Sequence, residues 1–207
     1  MFVKRMAIAA ISLSLISGFA TIGLGTSKTE AATKGVKFKQ SFKYFKVRGT
    51  SISEVLQDAQ KTSPLKGVGT DVAYIGVAES NITHDIDYHE INGRCSIGKL
   101  NIIAEVILHL PRWANYNRAN AIGKQSWDDY FADIKKHELM HSAITKDYST
   151  RMYNKIASIG SRSNCNSVEK AVTKTYNRFL NRHARAQNQF DRREQKRLKR
   201  EQREAEL

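Results

Sequence analysis

His137, Glu138 and His141 stand in the order His-Glu-x-x-His within the stretch KKHELMHSAI. Residues four apart lie one above the other on a helix, so both imidazoles can reach a single ion. Glu138 falls one step round the helix, close enough to touch the ion's next ligand rather than the ion. Zinc held by neutral imidazoles, with one position left open, lowers the pKa of a water there to about 7. Glu138 would take that water's proton and pass it to a leaving amine. The chemistry is metal-assisted peptide hydrolysis, with Zn2+ as cofactor and a peptide or protein as substrate.

A five-residue pattern can arise by accident, and the helix around it supplies an independent test. At about 100° per residue, with Ile134 set at zero, Trp127 falls near +20°, Phe131 near +60° and Tyr148 near −40°. On the same wheel His137 lies near −60°, His141 near −20° and Glu138 near +40°. All three polar residues therefore sit within the apolar stripe, while Asp133, Lys135 and Lys136 lie outside it. A surface accident would put them among the lysines. A buried Glu138 without a partner would be costly, and a metal site offers it one.

Several residues could complete the ligand set. Asp147 lies six residues after His141, a spacing used where a glycine bends the chain, but Ile144 stands at that place. On an unbroken helix Asp147 points about 120° away from His141. Glu169 opens the last long helix, where it also fits a capping box with Asn166. His183 and Asp191 lie two turns apart on that helix, and either could close the site; His183 on its apolar side also reads as a core residue. His84, His89 and His109 fall on strand positions, His109 on a polar face.

The elements that must position these residues follow from periodicity. SFKYFKVRG alternates and reads as a strand, and TSISEVLQDAQKTSP as a helix stopped by Pro64. DVAYIGVAE reads as a second strand, and NITHDIDYHEING as a polar strand or hairpin turning at Asn92-Gly93. KLNIIAEVILHLP alternates cleanly, with Ile102, Ala104, Val106, Leu108 and Leu110 on one face and Pro111 as its end. Its edge could receive an extended substrate. A cap at Ser126 and Asp129 starts the site helix, which runs from Trp127 to about Tyr148. The last helix follows Asn166, with Val168, Val172, Tyr176, Phe179, Leu180 and His183 on one side. Strands first and helices later predict an α+β fold: a small, mostly antiparallel sheet packed on the site helix and a long C-terminal helix.

Charge and leader bound the setting. The chain has 207 residues, 34 basic against 20 acidic, for a formal net charge of +14. That balance suits anionic surroundings such as the cell envelope, or serves to prevent self-association. No aromatic-rich RNA-binding strand and no Cys/His finger accompanies it, so no specific nucleic-acid partner is expected. MFVKR followed by MAIAAISLSLISGFA has the layout of an export leader, with cleavage favoured near Ala31. Stretched towards Leu24, the apolar run would nearly span a bilayer and act as an anchor instead. The expected organisation is a signal peptide over 1–31, a basic linker over 32–41, a domain over 42–190 and a charged tail over 191–207. Cys95 and Cys165 are the only cysteines. An even count in an exported chain favours one disulfide over two free thiols.

Several landmarks occur in a particular order: YFKVRGTSISEVL, Cys95 ahead of VILHLPRW, Trp127 and Phe131 running into HELMH, Cys165 before the last helix, and QNQFD. In this the chain resembles the DUF922 family of predicted secreted zinc-dependent proteases from roughly Tyr44 to Asp191. The resemblance implies a zincin-like, periplasmic or extracellular metallopeptidase with ligands His137 and His141, base Glu138 and a Cys95–Cys165 bridge. Asp191, which matches the family's Gln-x-x-Tyr-Asp close, becomes the preferred third ligand. Where relatives continue towards Thr-x-His-Gly, this chain reads DRREQKR. The competing expectation is therefore an inactive exported protein of the same fold that binds the envelope or a partner through its basic surface.

Overall fold

The computed structural model describes residues 29–33, 35–63 and 75–206, so the leader's apolar stretch and Pro64 lie outside the described residues. Four strands and three α-helices follow one another: β1 (Thr29–Thr33), β2 (Val36–Val47), α1 (Ile52–Thr62), β3 (Val77–Ile91), β4 (Arg94–Trp113), α2 (Ala121–Ala157) and α3 (Cys165–Glu204). The protein is a mixed α+β fold, with strands mostly ahead of helices in the chain. The sheet order is β1-β2-β4-β3, with β2 and β4 parallel and the other two pairs antiparallel.

That order corrects the expectation for Leu100–Leu110. This strand is bonded on both sides, so its edge cannot receive a peptide; among the described residues, the free edge beside the site helix belongs to β3. The alternation itself holds: Ile102, Ala104, Val106, Leu108 and Leu110 are each at most 1% exposed. Burying an aliphatic side chain of this size contributes about 2 kcal/mol. Pro111 does not end β4, which continues to Trp113. The N–H groups of Ile102 and Ala114 point towards β2, so those of odd-numbered residues face β3. Opposite position 111, β3 has not yet begun, since its first pair is Val77 with His109. The N–H that proline lacks is therefore one that no strand would have used.

The turn between β3 and β4 is the predicted one. Asn92 and Gly93 have φ of 53° and 68°, the pair of left-handed residues that a two-residue type I′ hairpin requires. The linker expected over 32–41 is largely strand: Val36 and Phe38 are buried, because the alternation of β2 begins there and not at Ser41.

Both long helices exceed their expected bounds. α2 starts at Ala121, because the Asn120 side chain accepts from the Gly123 N–H at 2.8 Å. Ser126 and Asp129 then lie inside the helix. It runs past Tyr148 to Ala157 because Met152 and Ile156, both fully buried, prolong its apolar stripe. α3 is capped by Asn164, two residues before the expected Asn166, and remains helical through the charged segment to Glu204. Cys95 and Cys165 form a disulfide that ties the start of β4 to the start of α3 across 70 residues. Closing a loop of that size removes unfolded-chain entropy worth about 4 kcal/mol. None of the described helices is long and apolar enough to cross a membrane.

Candidate metal centre

α2 presents His137, Glu138 and His141 on its buried side, and α3, packed against it, presents His183, Gln187 and Asp191 at successive turns. Spacing of four residues puts these three on one face of α3. Asp191 Oδ1 lies 2.9 Å from His141 Nε2 and 3.4 Å from His137 Nε2, and the two Nε2 atoms are 3.1 Å apart. The three ligand atoms all lie within 4.8 Å of one another, and all three residues are buried.

The tautomer of His141 follows from its surroundings. The Gln187 amide nitrogen donates to the His141 carbonyl at 3.1 Å, and a carbonyl can only accept. This fixes the amide's orientation, so Oε1 faces His141 and accepts its Nδ1–H at 2.6 Å. In the neutral ring Nε2 then offers a lone pair. Lone-pair atoms thus converge from α2 and α3, and among the described residues Asp191 Oδ1 is buried without a well-directed hydrogen bond despite its nearness to both rings. Such an arrangement suits a cation.

Glu138 gives the same indication. It is 0% exposed, and among the described residues neither carboxylate oxygen has a well-directed hydrogen bond, the Ala78 N–H nearby only tempering the effect of burial. Burial pushes its carboxyl up to about 7, against the pull of His141 and His137. Burial also pushes Asp191 upwards, but the two histidines more than offset it and hold the carboxyl below its usual range. Gly76 belongs to this environment: a Cβ there would stand 2.9 Å from Glu138 Oε1 and 2.5 Å from the Ile134 side chain. Only glycine lets the chain pass this close to the carboxylate.

The other expected candidates do not reach the cluster. Asp147 is exposed and paired with Arg151 at 3.2 Å. Glu169 is exposed near the far end of α3, about 33 Å from Asp191 along the helix axis. His183 is buried but supports the site from behind, bonded to Thr145 at 2.9 Å and to Gln187 at 2.8 Å. His109 meets Glu79 at 3.0 Å, His84 rests edge-on against Tyr176, and His89 lies over Gly98. Gln187 and Gly76 were not recognised as site residues from the sequence. The position of Gln187 one turn before Asp191, within QNQFD, was the available signal.

Gln187 should set the affinity of this site. Replacing it with leucine frees the His141 ring to rotate and to take the other tautomer. Metal affinity is expected to fall about 10–100-fold while the fold persists. Competition against a colorimetric zinc chelator measures this, and Gln187→Glu, which keeps an acceptor facing Nδ1, should recover part of the loss.

Two imidazoles and one carboxylate, with the buried Glu138 carboxylate alongside, form a donor set suited to a first-row divalent cation. The molecule is thus an α+β protein with a buried candidate metal centre between two long helices. It belongs to the DUF922 family, described as bacterial protein of unknown function, whose model matches residues 42–197. No curated protein and no solved structure matches the chain.

Proposed function

We propose that this protein is an exported zinc-dependent peptidase with a zincin-like site. The observation that carries the reading is Glu138, a fully buried carboxylate without a well-directed hydrogen bond among the described residues, beside three converging ligand atoms. Three protein ligands leave room for a fourth, as in catalytic zinc sites, whereas structural sites are closed by four. Zinc bound there would supply Lewis acidity towards water and a carbonyl oxygen. Glu138, with its carboxyl pushed up to about 7, is suited both to accept a proton and to return it near neutral pH. It takes one proton from the attacking water, whose oxygen bonds to the carbonyl carbon. It delivers that proton to the amine nitrogen as the C–N bond breaks. Gln187 holds His141 in place through both steps. The edge of β3, which begins just after Gly76 and is unpaired among the described residues, gives an extended peptide a strand to pair with beside Glu138.

A second reading is favoured by one observation: His137, Glu138, His141 and Asp191 are all no more than 7% exposed. A closed centre of this kind would hold zinc for stability in an inactive protein that acts through its basic surface. The two readings separate on zinc-loaded protein incubated with a quenched fluorescent peptide library. Hydrolysis is expected, and Glu138→Gln should lower it by about 10²–10⁴ while keeping the zinc. Equal zinc content with no cleavage by the unmutated protein would establish the second reading.

A further inference from the structure

A groove of about 910 Å³ opens between the far end of the sheet and the N-terminal half of α2. Its lining is largely aromatic, with Tyr44, Tyr116, Trp127 and Phe131, and includes Lys46 and Arg112. These two cations are register partners on neighbouring parallel strands, so they project side by side from one face of the sheet. Like charges directly opposite one another weaken a sheet. Neither has an acidic partner among the described residues. Asp128, the acid lining the groove, is engaged by the Tyr116 hydroxyl at 2.7 Å. An arrangement that costs stability and leaves positive charge over an aromatic cavity is expected where a ligand supplies the missing anion.

We propose that this groove binds an acidic, aromatic-containing stretch of a peptide substrate, upstream or downstream of the bond to be cut. The identity of the occupant rests on the peptidase reading; the groove's chemistry does not. Phe131 and Glu138 are seven residues apart on one face of α2, about 10 Å along its axis. An extended chain advances about 3.3 Å per residue, so roughly three residues separate the groove from the carboxylate. A carboxylate side chain would bridge Lys46 and Arg112, and an adjoining ring would lie against Tyr44, which is 53% exposed. An acidic polysaccharide could satisfy the cations as well. The groove's lining of Tyr44, Tyr116 and Phe131 beside the two cations favours a peptide that carries both acidic and aromatic side chains.

The test uses a fluorescein-labelled octapeptide of alternating glutamate and tyrosine, with a glutamine–tyrosine counterpart of equal length. Anisotropy titrations on full-length Glu138→Gln, which leaves the probe uncut, are run with zinc bound and with zinc stripped. The acidic peptide should bind more tightly. Adding Lys46→Gln and Arg112→Gln should weaken it about tenfold or more and leave the neutral peptide unchanged, with or without zinc. Both substituted residues are exposed, so an unchanged melting temperature confirms an intact fold. Equal binding of the two peptides, or no loss in the double variant, overturns the proposal. So does displacement of the peptide by a sulfated polysaccharide at lower concentration than by unlabelled acidic peptide. Binding as expected, without hydrolysis by the unmutated protein, supports the groove and refutes the peptidase reading instead.

Discussion

Protein purified in the presence of zinc should carry one ion per chain, and His141→Ala should carry none. Removing this ring takes away one of three ligand atoms and unseats Gln187, whose Oε1 loses the Nδ1–H it accepts. Two remaining donors on separate helices hold a divalent ion far more weakly, with an expected loss exceeding the 10–100-fold typical of a supporting residue. Asp191→Ala should behave alike, since its Oδ1 is the atom that closes the triangle. Glu138→Gln keeps all three donors and should keep its zinc, and Asp147→Ala, altered at an exposed ion pair, should be indistinguishable from the unmutated protein. Elemental analysis gives the stoichiometry directly. A second readout comes from linkage: zinc at a thousand times its dissociation constant stabilises the fold by about 4 kcal/mol. The His141→Ala variant should show no such shift on zinc addition. Full zinc content in that variant would remove the site from consideration.

Much of this site was legible because helical periodicity is local. Placing Ile134 at the centre of a stripe puts His137, Glu138 and His141 inside it, and all three are buried in the folded protein. The disulfide was legible from the number and setting of the cysteines, and the hairpin from Asn92-Gly93. What escaped depends on contacts between elements distant in the chain. Periodicity shows that Gln187 and Asp191 share a face of α3, but not that this face meets His141. Nor does it show that Gly76 passes against Glu138, since that contact exists only once β3 is laid on the sheet. Sheet order was similarly hidden. β4 follows β3 through a tight hairpin, yet its other side is taken by β2, which reaches it only because α1 and β3 intervene in the chain. Helix starts were missed for a simpler reason: caps six and two residues before the expected ones, at Asn120 and Asn164, won the competition.

Metal-free Glu138→Gln should be more stable than the unmutated protein at neutral pH, and equally stable at pH 4. The carboxyl has an ordinary value of 4.5, and burial raises it to about 7 in the folded protein. Below 4.5 it is protonated in both states and contributes no difference. As pH rises through 4.5 the unfolded chain ionises first, so the unfolded state is favoured by up to about 1.4 kcal/mol per pH unit. The cost stops growing once the folded carboxyl also ionises near 7, by which point it is on the order of 3 kcal/mol. Glutamine has nearly the same shape and no charge to desolvate, so the variant escapes this loss. His183 contributes an acid arm of its own, because burial lowers it to about 4. That arm is common to both proteins and cancels in the difference. Urea unfolding of zinc-stripped samples between pH 4 and 8 measures the curve, and a difference that stays flat with pH would show that the carboxylate is not held desolvated. Zinc should shrink the gap, since a cation beside Glu138 compensates the charge that burial penalises. A residue whose removal stabilises the empty fold, and whose cost a bound ion relieves, is placed for chemistry and not for folding.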